Sequence, residues 1–249
     1  MIVGMAPTVV FLHGFTHTGR SWRPAIAALG ERYTSVAEDI RGHGDASARR
    51  PVTLEAVIDD VLAAAPERFT LVGYSMGGRI SLHVALLARE RVERLVLIGA
   101  SPGIADPAAR EQRRRDDEQL ADEIERSSIE EFARRWAQTP VLAGLPPAIQ
   151  GGAHADRLRS TPAGLARALR GLGTGALPSL WDRLGEVIMP VTLVVGERDS
   201  KFQAIATDIA RAVPSAEVAV VPGAGHAVHL EAPEAIAGVI AGPHATLDR

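Results

Sequence analysis

The chain has no cysteine, so it carries neither a disulfide framework nor a thiolate nucleophile. Lysine is almost missing too. Lys201 is the only one, and arginine carries the rest of the positive charge. No apolar run approaches the roughly 18 residues of a membrane span. No basic segment precedes the first apolar run, Thr8 to Leu12, and that run is only strand-sized. No standard secretory leader is expected, and the expected reading is a soluble cytoplasmic protein. The net charge of -3 argues against nucleic acid as the main partner. What is present is ample apolar material: 249 residues, 46% of them hydrophobic, enough for one cored domain with room for an insertion.

The chain is organised around Gly73-Tyr-Ser-Met-Gly-Gly-Arg79. The apolar run Phe69 to Val72 precedes it and has the make-up of a buried strand. Ile80 to Leu87 follows with the make-up of a helix. A G-x-S-x-G at a strand-to-helix turn is the context of a nucleophile elbow. The turn leaves no room for a Cβ beside the serine, and glycine tolerates strained backbone. Ser75 would stand exposed at the positive end of the helix.

Other strands are predicted at Thr8 to Leu12, Tyr33 to Ala37, Leu95 to Ile98, Val191 to Val195 and Glu217 to Val221. Helices are predicted at Arg20 to Leu29, Leu54 to Ala65, Phe202 to Ala212 and Pro233 to Ile240. Leu54, Val57, Ile58, Val61 and Leu62 follow the helical i, i+3, i+4 spacing. Alternating strand and helix predicts a mostly parallel sheet with right-handed crossovers. From Ala105 to about Trp181 the texture changes to Arg- and Glu-rich and helical, with loop breaks at Leu145-Pro146-Pro147 and Gly151-Gly152. The expected organisation is a core made of residues 1–103 and 182–249, with a helical cap at 104–181.

Ser75, Asp199 and His226 occur in the order Ser, Asp, His, the later two just past predicted strands. A serine hydroxyl is barely acidic, so an imidazole must carry its proton and a carboxylate must hold the imidazole tautomer. His13-Gly14 after the first strand fits either an ordinary tight turn or the source of one oxyanion amide, from Phe15; beside the triad the second is expected, with Met76 supplying the other amide. Asp39 and His43 lie in a Gly-rich loop and are read as loop braces. This constellation resembles the α/β-hydrolase superfamily over nearly the whole chain. That superfamily hosts several chemistries, so the fold does not fix the reaction.

Arg110, Arg113 and Arg114 share one helix face by spacing. Arg79 lies one turn beyond Ser75. Guanidinium groups bind carboxylates bidentately, so arginines converging on a serine would suit a polycarboxylate. The competing explanation is a solvated helix rich in Asp and Glu.

A narrower resemblance rests on longer motifs. They are Gly73 to Arg79, Ser101-Pro-Gly103, the helix through Arg113 to Asp117, and Trp136 before Pro140. Further on come Leu158-Arg-Ser160, Gly173-Thr-Gly175, Gly196-Glu-Arg-Asp-Ser-Lys-Phe202, and Gly225-His226 before His229 and Glu231. These are similar to the 2-succinyl-6-hydroxy-2,4-cyclohexadiene-1-carboxylate synthases of menaquinone biosynthesis. The resemblance implies a lyase that eliminates pyruvate from 2-succinyl-5-enolpyruvyl-6-hydroxy-3-cyclohexene-1-carboxylate, without cofactor or metal. It carries over Ser75, Asp199 and His226 as the triad. It carries over Tyr74, Arg79, Arg113, Trp136 and Arg159 as contacts for a small tricarboxylate. Leu142 and Leu177 depart from the pattern, where an aromatic residue and a Gln are expected, and the stretch Pro146 to Gly152 is loopier than a helix should be there. The alternative is an α/β-hydrolase acting on an ester or a C–C bond.

Overall fold

The computed structural model describes residues 6–242. Residues 1–5, part of the stretch read for a leader, lie outside the described residues, as do 243–249. Six strands form one sheet: β1 (Thr8–Leu12), β2 (Thr34–Val36), β3 (Phe69–Tyr74), β4 (Val92–Ile98), β5 (Val191–Gly196) and β6 (Ala216–Val221). Their order is β2-β1-β3-β4-β5-β6, and every pairing is parallel. β1 and β3 to β5 are buried almost end to end, as a sheet covered on both faces requires.

The order reverses between β1 and β3. The chain first steps outward to β2, then returns and builds the other way. The carboxyl ends of those two strands therefore flank a crevice, where open α/β sheets place their sites.

Helices cover both faces. They are α1 (Arg23–Leu29), α2 (Leu54–Ala64), α3 (Met76–Leu87), α8 (Ser200–Ala212), the single turn α9 (Val228–Glu231) and α10 (Pro233–Ala241). One face of the sheet packs with α2, α3 and α8, through Val57, Ile80, Leu95 and Ile209. The other packs with α1 and α10, through Trp22, Val96 and Ile236. The helix predicted from Arg20 is a 3-10 turn, Gly19–Trp22, that continues into α1.

Between β4 and β5 lie α4 (Pro107–Arg126), α5 (Ile129–Trp136), α6 (Pro147–Arg157) and α7 (Pro162–Leu172). α4 and α7 pack around their own small cluster of Ala121, Ile124, Phe132, Leu165 and Leu169. α6 runs unbroken through Gly151 and Gly152, where a loop break is predicted. Both glycines face open space, so each costs only its weak helix propensity, about 1 kcal/mol. Ile149 and Ala153 of the same helix pack into the core, and that packing prevails.

Candidate active site

Ser75 sits between β3 and α3 as the N-cap of that helix. Its φ is 52°, a strained value for a residue with a side chain. The flanking glycines meet the predicted lack of room for a Cβ, but they do not carry the strained backbone. Gly73, Gly77 and Gly78 keep ordinary negative φ, and they are small because the backbone crowds there. A Cβ on Gly73 would lie 2.6 Å from Gly78 Cα, and one on Gly77 would collide with the Leu12 carbonyl. The strain is carried by the serine, and the glycines let the strand end and helix start close around it.

Asp199 ends the turn after β5 and caps α8. His226 lies on the loop after β6. His226 Nδ1 donates to Asp199 Oδ2 at 2.6 Å, and Nε2 faces Ser75 Oγ at 3.3 Å. Room for the imidazole is made by Gly99 at the end of β4. A Cβ there would stand 2.8 Å from His226 Cε1. Phe202 covers the ring with a centroid separation of 4.5 Å. Glu231 braces the His226 loop by accepting from the Gly225 amide at 2.9 Å and from Arg198 at 2.7 Å.

Phe15 and Met76 line the same pocket as Ser75 and His226. Met76 opens α3, so its amide has no partner within the helix. The neighbouring Thr16 has a φ of 69°, so the turn after β1 is strained as well. The free Met76 amide next to Ser75 is of the kind that can stabilise a developing oxyanion.

The pocket measures about 520 Å³. Its walls include Arg79, Arg113, Trp136 and Lys201, and none of its lining residues is acidic. Arg79 is buried, and its Nη1 donates to Thr174 Oγ1 at 2.6 Å. Burial and the neighbouring Arg113 push its pKa down to about 10. Arg113 donates through Nε to Asp117 Oδ1 at 2.7 Å. Asp117 also accepts from the Gly175 amide, which ties the Gly173–Gly175 turn to α4. Two guanidinium groups thus face one cavity, and an anion between them would relieve their repulsion.

Two expected substrate contacts lie elsewhere. Tyr74 is 3% exposed and is not on the pocket wall. Side chains alternate along a strand, and Tyr74 shares the face of Val72, opposite Leu71. Its ring packs behind the catalytic loop, 4.1 Å from His229 and 5.3 Å from His226. Arg159 follows α6 and reaches Asp45 at 3.3 Å. It lines a separate cavity with His17, Arg20 and Leu230 and is not on the wall of the serine pocket. Asp39 braces its loop, accepting at 2.7 Å from the amides of Gly19 and Asp45. His43 is fully buried beside His13 and Phe15.

Thr174, Asp117 and Lys201 were not among the expected site residues. The Gly-Thr-Gly spacing marks a tight turn. Only the packing shows that this turn holds Arg79.

This strand order, the strained serine elbow and the Ser75–His226–Asp199 relay define an α/β-hydrolase. The α/β-hydrolase family matches residues 9–239. The chain is 33% identical over 239 residues to the 2-succinyl-6-hydroxy-2,4-cyclohexadiene-1-carboxylate synthase of Enterobacter sp. (strain 638), covering 94% of this chain and 90% of that one. It is 37% identical to a Bacillus subtilis (strain 168) protein provisionally given the same name, over 93% of this chain and 88% of that one. MenH from S. aureus superposes with a TM-score of 0.87 at 31% identity, covering 97% of this chain and 94% of that one. Within the α/β-hydrolases, the chain belongs to the 2-succinyl-6-hydroxy-2,4-cyclohexadiene-1-carboxylate synthase family.

Proposed function

We infer that the protein is a lyase of menaquinone biosynthesis. It eliminates pyruvate from 2-succinyl-5-enolpyruvyl-6-hydroxy-3-cyclohexene-1-carboxylate to give 2-succinyl-6-hydroxy-2,4-cyclohexadiene-1-carboxylate. The observation that carries this reading is one pocket holding Ser75 and His226 beside Arg79, Arg113 and Lys201, with no acidic wall. The substrate has three carboxylates. A plain esterase needs the triad but has no use for this charge.

The proton to be removed lies α to the succinyl ketone. Ser75 Oγ takes it while passing its own proton to His226 Nε2, and Asp199 steadies the imidazolium. Negative charge moves to the ketone oxygen, where the Phe15 and Met76 amides hold it. The enolate then collapses. The ring carbon–oxygen bond breaks, the enolpyruvyl group departs, and protonation gives pyruvate. The step is redox-neutral. Arg79 and Arg113 bind carboxylates and Trp136 closes the wall. Residues 104–181 act as a cap on the core of residues 1–103 and 182–249, excluding water while charge develops. Tyr74 acts indirectly, by backing His226. A charged small-molecule substrate of this kind suits a cytoplasmic enzyme.

Direct assay of pyruvate release from the enolpyruvyl substrate tests the reading. Turnover with that substrate and negligible hydrolysis of p-nitrophenyl acetate are expected. Fast ester hydrolysis without pyruvate release would return the protein to the hydrolases.

A further inference from the structure

A second cavity lies in the helical region, between α5 and α6, and shares no lining residue with the serine pocket. Its volume is about 700 Å³. Arg134 and Arg135 enter it from the end of α5, and His154 and Arg157 from α6. None of its lining residues is acidic. Arg157 is the unusual member. It is only 2% exposed, and its Nε and Nη2 are buried with no protein acceptor. The adjacent Asp156 acts on it only through space and accepts no hydrogen bond from it, since that carboxylate is engaged by His17 and Thr18. A buried guanidinium without an acceptor is costly unless something anionic completes it. Leu142 and Leu145 add apolar wall, which suits an organic skeleton better than a bare ion.

We propose that this cavity is a second anion site, taking a small organic molecule that carries carboxylate or phosphate and anchored on Arg157. Arg134 lies at the rim and adds a second guanidinium. The site is separate from the chemistry at Ser75 and stands or falls independently of the proposed reaction.

Calorimetric titration at low ionic strength tests it, with succinate, citrate and glycerol 3-phosphate as probes and chloride as the matched control. Wild-type protein and the Arg113→Gln, Arg134→Gln and Arg157→Gln variants are compared. At least one probe should bind above the chloride control. The Arg134→Gln and Arg157→Gln variants should weaken it by about fivefold or more, while Arg113→Gln leaves this binding event intact. Preference for citrate or for glycerol 3-phosphate assigns the head group. Arg134 is exposed, so its variant reports on the site even if Arg157→Gln fails to fold. No binding above chloride would overturn the proposal. So would binding that survives Arg134→Gln but disappears in Arg113→Gln, because the probe would then be in the serine pocket.

Discussion

Arg79 on the elbow helix and Thr174 on the turn after α7 are joined by a 2.6 Å hydrogen bond. That bond links the core to the helical region at the edge of the serine pocket. Arg79 Nε is buried with no protein acceptor, so Thr174 fixes one arm of the guanidinium. Thr174→Val should raise KM for the enolpyruvyl substrate by about three- to tenfold, the net worth of one ordinary hydrogen bond. Thr174→Ser should stay near wild type. Steady-state kinetics on the pair checks this, and equal loss in both variants would make the threonine methyl, not its hydroxyl, the feature that matters.

Arg79→Ala and Arg113→Ala should each lower kcat/KM by about ten- to a hundredfold, with the fold intact. Charge-assisted contacts to carboxylates are worth roughly 1.5–3 kcal/mol. Arg113 is half exposed, so screening places it toward the lower end. Near-wild-type kinetics in both variants would end the tricarboxylate reading. Arg159→Ala, in contrast, should change kcat/KM by less than about threefold, since its partner is the exposed Asp45.

His226→Ala should nearly abolish turnover, since the imidazole beside Ser75 Oγ is His226. Asp199→Asn should be severely impaired, because an amide can hold the imidazole in the wrong tautomer. Retention of most activity in Asp199→Asn would contradict the relay. Asp39 offers no substitute, since both its oxygens accept backbone amides, from Gly19 and Asp45.

The sheet and the relay were legible because their signals are local. A short apolar run bounded by Gly or His reads as a buried strand, and Ser75, Asp199 and His226 each follow one. What failed required three-dimensional information. Gly151 and Gly152 resemble a break, but helix α6 is decided by what Ile149 and Ala153 pack against. Tyr74 adjoins the nucleophile in sequence, yet strand alternation sends its ring to the opposite face. Thr174 sits in a legible Gly-Thr-Gly turn, but its role does not show in sequence, because it depends on Arg79, 95 residues away. Arg157 looks like any other arginine in a chain that uses arginine throughout.

Buried histidines set the acid limit of stability. His13 is held down to about 4 and His43 to about 3, in both cases chiefly by burial. His13 Nε2 also accepts from the Ile40 amide at 2.9 Å, a bond available only to the unprotonated nitrogen. Unfolding restores the ordinary value near 6.5, so the unfolded chain binds more protons below that pH. Stability is full above pH 6.5 and falls as pH drops toward 4 and 3. Each such histidine contributes a slope of up to about 1.4 kcal/mol per pH unit. Thermal unfolding between pH 7 and pH 4.5 should show a steadily falling Tm, and a flat profile across that range would refute the assignment.

Ser75 should work as a base and never as a nucleophile. The elimination contains no acyl transfer, so a covalent serine adduct has no product to lead to. Its hydroxyl lies 3.3 Å from His226 Nε2 and shares the pocket wall with Phe15 and Met76. That position suits removal of a carbon-bound proton next to a ketone whose oxygen is held at the same time. Rapid quench during turnover should recover enzyme of unmodified mass, with no burst of product. Substrate deuterated at the ring carbon bearing the succinyl group should react more slowly where proton removal limits the rate. Movement of helices α4 to α7 or slow pyruvate release could hide that isotope effect, so the mass measurement decides. An adduct accumulating on Ser75 would show that the serine attacks carbon, and the chemistry would then be that of a hydrolase.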